Sequence, residues 1–392
     1  MDVAPRTGLL REREAEESAR VSFAELFFDL VFVLAVTQLS HALIENHSAE
    51  GALRTGLLFL AVWWAWINTA WVTNWLDPDR VATRLMLFAL MGAGLVVSLS
   101  IPQAFGERGL HFAVAYALME VGRSAFMVWA IPRGEHALRM NFIRALCWQV
   151  LAAVFWIAGG LAEPGLRLVL WTIAVGIWTL ATIATFWCPG LGRSTTTDWN
   201  LEGKHLAERC GLFIIIALGE SILVSGNTFL KQPWDAAHAS AFAVTFVGSV
   251  ALWWVYFNVG AERGEEHITE ARNPGRIARL GYTYLHIPIV AGIVLCAVSD
   301  EMILSHPHGV TEWWVAAAIL GGPALYLAGN AAFKRLSAPN LPLSHWIGFC
   351  ILVVLVPLVP FLTPLALAAL ATAALVVVGV WEHVSWKGVD AP

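Results

Sequence analysis

Acidic side chains inside apolar runs are the residues of this sequence that most require a chemical explanation. Residues 23–40 read FAELFFDLVFVLAVTQLS, long and apolar enough to cross a bilayer, yet they hold Glu25, Asp29 and Gln38. An Asp near the bilayer centre costs about 2.5–3.5 kcal/mol on insertion scales, so such groups need partners or a task. Glu25 and Asp29 are four apart and share one helix face. That face must point at protein or water. A second set is Glu120 and Arg123, three apart in ALMEVGRSAF. Rise per residue puts Asp29 roughly 10 Å and Arg123 roughly 13 Å from the inner ends of their spans. An Asp29–Arg123 ion pair is therefore expected, flanked by Glu25 and Glu120, serving as a structural lock or as part of an ion or proton path. Glu220, in ALGESILVSG, has no evident cation at its depth. A buried carboxylate of that kind tends to hold its proton, which makes Glu220 the expected proton- or cation-coupling group. His286, in the middle of another apolar run, reads as its partner, a separate relay or a satisfied interior residue.

The elements that carry these groups are membrane spans. Of 392 residues, 58% are hydrophobic and 14% charged, against about 25% charged in soluble chains. The apolar residues fall in runs of about 20, the length that crosses a hydrocarbon core of about 30 Å. The period-two pattern of a membrane β-barrel is absent. The fold class is an all-α polytopic membrane protein with about twelve spans, expected near 22–45, 52–74, 81–104, 109–132, 141–160, 166–188, 205–228, 236–262, 277–300, 312–335, 341–362 and 363–386. Pro357, Pro360 and Pro364 crowd the junction of the last two.

Charge supports this count. With the N-terminus inside, Arg54, Arg108, Arg167 and Lys231 fall outside, Arg123 falls within a span, and every other Lys and Arg of the 24 falls inside. Basic residues accumulate in cytoplasmic loops, so both termini of this multi-pass chain are expected in the cytoplasm. Residues 1–20 carry Arg6, Arg11, Arg13 and Arg20 among several Glu and lack the pattern of a signal peptide; they read as a cytoplasmic arm.

The chain also repeats itself. Trp63-Trp64-Ala65-Trp66-Ile67-Asn68 returns as Trp253-Trp254-Val255-Tyr256-Phe257-Asn258, and Ala24-Glu25 returns as Ala207-Glu208. Arg84-Leu85 matches Arg279-Leu280, and Gly122 and Phe126 match Gly329 and Phe333, all in one order. The expected organisation is a first six-helix repeat over 21–190, a linker over 191–204 with Gly192, and a second repeat over 205–388. Six spans per half make the repeat parallel, about an axis along the membrane normal. In this alignment Asp29 falls on Gly211 or Leu212 and Arg123 on Asn330, so both charges are lost together. Asn68, Asn258 and Asn330 read as structural polar groups between helices.

Other chemistries find no support. The five Cys (Cys147, Cys188, Cys210, Cys296 and Cys350) lack paired spacing and read as small buried hydrophobes. His306-Pro307-His308, near Asp300 and Glu301, lacks the fixed spacing of a metal site. No nucleotide-binding loop, Ser-His-Asp set, haem motif or zincin signature is present, so neither cofactor nor metal is expected, and the basic residues are loop charges without a nucleic-acid face.

Five blocks, FAELFFDLVFVLAVTQLSH, WWAWINTAWVTNWLDPDR, ALMGAGLVVSLSIPQAFGE, EVGRSAF and HLAERCGLFIIIALGESILVSG, resemble the bacterial low temperature requirement A (LtrA) family. The resemblance covers nearly the whole chain. It implies a polytopic bacterial membrane protein associated with growth in the cold, with no agreed activity and no established catalytic residues to carry over. More faintly, Phe28-Asp29-Leu30-Val31-Phe32 is similar to the first-helix motif of a family of potassium channels built from six-helix repeats, with Phe28 where that motif has Ser.

Twelve spans, a parallel repeat and acids at membrane depth in both halves point to a transporter or channel for an ion or small solute, with proton coupling. Its candidate path is Glu25, Asp29, Gln38, Glu120, Arg123, Glu208, Glu220 and His286. A sensor or assembly factor without turnover and a lipid-handling membrane enzyme stay open as alternatives. Membrane lipid is the expected surrounding partner; the solute and the oligomeric state are not specified by the sequence.

Overall fold

A computed structural model of the chain describes residues 8–11, 20–196, 199, 201–258, 260–337 and 342–387. Most of the arm expected over 1–20 and part of the linker expected over 191–204 lie outside them. Among the described residues every regular element is helical, and twelve helical segments are long and apolar enough to cross a membrane. The helices are α1 (Phe23–Glu45), α2 (Ala49–Trp75), α3 (Val81–Ser100), α4 (Gly109–Ala130), α5 (His136–Leu161), α6 (Pro164–Ile183), α7 (Gly203–Phe229) and α8 (Ala236–Phe257). They continue with short α9 (Gly260–Glu270) and α10 (Pro274–Ile277), then α11 (His286–Ser305), α12 (Trp313–Ser337), α13 (Leu343–Leu355) and α14 (Pro364–Lys387).

Local chemistry explains where these helices start and stop. Ser48 caps α2 by accepting from the Gly51 N–H at 3.0 Å. Asp235 caps α8 by accepting from the His238 N–H at 2.9 Å, and this bond and the neighbouring His238 ring hold its carboxyl below the usual value. The sixth span ends at Ile183, short of the expected 188. There Thr185 and Phe186 turn left-handed at φ 51° and 54°, and the Phe186 N–H reaches the Ala181 carbonyl at 2.7 Å. That conformation crowds Cβ, most severely for a β-branched Thr.

The eighth span stops at Phe257, and the polar α9 follows where the apolar run was expected to continue to 262. The ninth span runs longer than expected and contains a π-helical segment, Ala278–Leu285. Pro288 lies just beyond this segment. It lacks an N–H for the Tyr284 carbonyl, and widening the turn relieves the clash of its ring with the preceding turn. At the other end, Pro357 and Pro360 convert the close of the eleventh span into a 3-10 turn, Val356–Phe361, before Pro364 opens α14. The five cysteines are free; Cys188, Cys210 and Cys296 are buried as expected, whereas Cys147 and Cys350 face outward. An apolar run alone therefore does not determine burial.

The contacts divide the chain into two compact units. The first holds the residues up to Ala42, Ser48–Leu206 and Arg272–Arg276. In it α3 packs on α4, α4 on α5 and α5 on α6, while α2 packs on both α4 and α6. Trp63, Trp64 and Trp66 of α2 are at most 2% exposed. Arg167, expected on the outer side, is buried at the start of α6. Its guanidinium donates to the carbonyls of Ala104, Gly106, Gly159, Gly160 and Ala162 at 2.7–3.4 Å. Five donors in a planar fork thus satisfy the loose carbonyls at two helix ends.

The second unit holds Leu43–His47, Ala207–Ala271 and the chain from Ile277 onward. Here α11 packs on α12, α12 on α13, α13 on α14 and α8 on α14. Trp253 and Trp254 are 45% and 39% exposed, unlike the matching Trp63 and Trp64, because α8 presents that face outward. Gly292 of α11 lets the backbones of α11 and α12 approach closely: a Cβ there would lie 2.6 Å from the Tyr326 nitrogen and 2.8 Å from the Gly322 oxygen. Gly292→Ala should lower stability by about 1–3 kcal/mol through overpacking, read as a fall in Tm in detergent. Gly226→Ala, where a Cβ meets nothing within 4 Å, should leave Tm unchanged or raise it; equal effects of the two substitutions would contradict this packing.

Candidate functional site

The candidate residues fall into separate clusters. In the first unit, Glu25 of α1 is fully buried. Its Oε2 accepts from Arg11 Nη2 at 3.0 Å and from the Ser22 backbone and hydroxyl, each at 2.9 Å. Its Oε1 lies 2.9 Å from His205 Nε2. Asn74 steadies the other side of that ring, with Nδ2 at 3.2 Å from Nδ1, and also donates to the Glu202 carbonyl at 2.8 Å. Arg11 is held by the end of α2: its Nε donates to the Thr73 and Leu76 carbonyls, each at 3.0 Å. A cation at a helix C-terminus is favoured by the helix dipole, so one guanidinium closes α2 and compensates Glu25.

Asp29, one turn further along α1, accepts from Trp66 Nε1 at 2.8 Å. The Asp29–Arg123 pair expected from the sequence does not form. Arg123 instead pairs with Glu120 on its own helix at 2.6 Å. Its Nη1 donates to the Ala65 carbonyl at 3.2 Å and to Thr69 Oγ1 at 3.1 Å. Depth along the membrane normal had matched Asp29 to Arg123, but depth says nothing of the direction in which a helix face points, and the i, i+3 neighbour is always within reach. Asn68 and Gln149 complete the cluster by donating to Glu120 Oε2 at 3.0 and 3.2 Å. Glu120 and Gln149 also line a cavity of only about 10 Å³, too small for more than a single water.

In the second unit the groups surround a larger space. A cavity of about 530 Å³ is lined by Glu208 at the start of α7, Glu262, Glu265 and Glu266 of α9, and Tyr256 and Tyr282. None of its lining residues is Lys, Arg or His. The sequence gives α9 this role: Gly260, Gly264 and Ile268, spaced by four, are buried, which turns the glutamates the other way. Behind the wall, the Tyr256 hydroxyl lies 2.7 Å from His286 Nε2, and His286 Nδ1 lies 2.8 Å from the Gly281 carbonyl. A carbonyl only accepts, so Nδ1 carries the proton, and the neutral ring receives the Tyr256 hydrogen at Nε2. The π-helical turn supplies that carbonyl. Glu220 is buried in α7 at 1% exposure, Gln38 is half-buried, and Asn330 is fully buried with its Nδ2 3.3 Å from the Tyr326 carbonyl.

Residues 20–380 match the family described as bacterial low temperature requirement A protein (LtrA). The chain belongs to the LtrA family. An uncharacterized protein of Rhizobium meliloti (strain 1021) is 41% identical over 375 residues, covering 96% of this chain and 92% of its own length. No solved structure matches the LtrA chain.

Several buried polar groups of this LtrA protein escape sequence reasoning. Arg11 counts among the inner-side basic residues, and nothing in the sequence singles out His205. Arg209, counted on the inner side, is fully buried in α7. Lys334, Glu382, Ser344 and His345 form a further cluster: Lys334 Nζ is 2.6 Å from Glu382 Oε2 and donates to the Val255 carbonyl at 3.0 Å, and His345 Nδ1 is 3.3 Å from Glu382 Oε1. Lys334, near the end of its span, counts as an inner-side charge in the sequence; a carboxylate late in an apolar span, as at Glu382, is the available signal of the cluster.

The Glu120–Arg123 pair is open to a double-mutant cycle. Glu120→Leu alone strands the buried guanidinium and should cost about 3–5 kcal/mol. Adding Arg123→Met should recover most of that loss in Tm. A double variant as unstable as the sum of the singles would show that the two residues act independently.

Proposed function

We propose that this LtrA protein is a cation-conducting transporter or channel of the inner membrane, with proton coupling. The observation that carries the reading is the 530 Å³ acidic cavity, whose walls bear four glutamates and no basic side chain. An aqueous recess lined by one sign of charge concentrates ions of the other sign and repels those of its own. The solute class is therefore a small cation. Tyr256 and His286 give the cavity wall a hydrogen-bonded pair in which the imidazole can take up and return a proton at Nε2 while Nδ1 stays on Gly281. Glu220, buried in α7, is the proposed coupling acid, and Glu25, Asp29, Glu120 and Arg123 hold the first unit in register.

The same proposal includes a parallel repeat. The helix pairs α3–α4, α4–α5, α5–α6 and α2–α6 of the first unit have counterparts in α11–α12, α12–α13, α13–α14 and α8–α14 of the second. This is the pattern two copies of one six-span plan would give. The segregation of Lys and Arg supports cytoplasmic termini, and with that orientation the acidic cavity opens to the cytoplasm.

Reconstituted protein should pass Na⁺ or K⁺ down a gradient into proteoliposomes, pass Cl⁻ poorly, and respond to an imposed pH gradient. Glu262→Gln with Glu266→Gln should lower cation flux several-fold. Glu220→Gln should remove the pH dependence at unchanged expression. Absence of flux for every ion, with or without a pH gradient, would overturn the reading.

A further inference from the structure

The second unit holds a carboxylate that the acidic cavity does not use. Asp300 lies on α11, five residues before the helix ends at Ser305, so about 7 Å inside that end by helical rise. It is 8% exposed and carries no hydrogen bond or ion pair among the described residues. It lines a second, separate cavity of about 30 Å³ among α8, α11, α12 and α14. The other polar side chains in that wall are hydroxyls, from Thr245, Ser249, Ser299 and Thr372. Thr245 and Ser299 donate their hydrogens to the backbone carbonyls of Phe242 and Cys296, which leaves lone pairs on their oxygens. Among the described residues, Cys296 is the one other titratable lining group, and no charged residue besides Asp300 lines the cavity.

We propose that this cavity is a binding site for one small monovalent cation of the size of Na⁺, held by the Asp300 carboxylate and surrounding hydroxyl oxygens and bound in competition with a proton on Asp300.

Three features fix the ligand class. A single carboxylate without a counter-charge at membrane depth must be neutralised. One negative charge matches one positive charge, whereas divalent sites gather several carboxylates among six to eight oxygens. Apart from the single Cys296 thiol the donors are hard oxygens, which suit an alkali cation better than a soft transition metal. Size excludes the rest: about 30 Å³ exceeds the roughly 10–15 Å³ one water needs, so an ion and one water fit and an organic solute does not. The site does not depend on whether the protein transports, because the claim concerns binding alone.

The test uses the full-length protein in detergent, with choline as the inert cation. Thermal melts should show stabilisation by NaCl that is absent with choline chloride. The half-saturating Na⁺ concentration should rise about tenfold for each unit the pH is lowered once the proton competes. Asp300→Asn, isosteric and neutral, should melt at a temperature that neither Na⁺ nor this pH change moves. Thr372→Val should keep the melting temperature in choline and weaken the Na⁺ response several-fold, which keeps the proposal testable if Asp300→Asn does not fold. An undiminished Na⁺ response in either variant overturns the site. A wild-type protein that responds to pH and not to Na⁺, with the pH response lost in Asp300→Asn, overturns the cation assignment in favour of a proton alone. Failure of ion flux in proteoliposomes alongside an intact Na⁺ response would remove the transport reading and leave this site standing.

Discussion

Hydrocarbon offers no hydrogen bonds, so every polar group this chain carries into the membrane must be satisfied by the chain itself. That constraint organises the protein. The strongest donors go where most acceptors would otherwise be orphaned: Arg167 on the five carbonyls at two helix ends, Arg11 on the end of α2, Lys334 on the Val255 carbonyl. Carboxylates then sit where those cations can also reach them, as Glu25 does beside Arg11 and Glu382 beside Lys334. Small residues do the complementary work, bringing α11 and α12 close enough at Gly292 for dispersion to hold them together. Within this frame, the acidic cavity and Asp300 stand apart. The acidic cavity gathers four glutamates with no basic residue in its lining, and Asp300 faces a wall of hydroxyls.

Much of the fold was legible in the sequence. Span length and charge asymmetry are set by bilayer thickness and by loop Lys and Arg, both one-dimensional properties that a sequence records directly. The departures have local causes: the left-handed turn at Thr185 and Phe186, the π-helical turn ahead of Pro288, and the polar α9 after Phe257. The two turns leave hydropathy unchanged, and the polar α9 only blurs the end of its span within a window of about twenty residues.

The site was less legible, for a geometric reason. Depth along the membrane normal can be counted from rise per residue, but the direction a helix face points depends on packing. Asp29 and Arg123 share a depth, yet Arg123 turns to Glu120, Thr69 and Ala65, while Asp29 takes the Trp66 indole. Partners contributed by segments without periodicity, such as Arg11, leave no signal at all. The repeated Trp motif shows a related limit, since Trp63 is buried where Trp253 is 45% exposed. A motif preserves position along a helix more readily than the neighbours it meets. Asp300 was read with the nearby His306 and His308 because of their proximity in sequence, whereas it faces the hydroxyls of α8 and α14.

The functional account rests on the acidic cavity being wet and open to the cytoplasm. Cysteine accessibility measures this directly. In a background with the five native cysteines replaced, a single cysteine at position 262 is exposed to a membrane-impermeant thiol reagent in inside-out and right-side-out vesicles. The account predicts rapid labelling in inside-out vesicles, protection in right-side-out vesicles, and slowing of the reaction by added Na⁺ or K⁺ but not by choline. Labelling only in right-side-out vesicles, or in neither orientation, would contradict it.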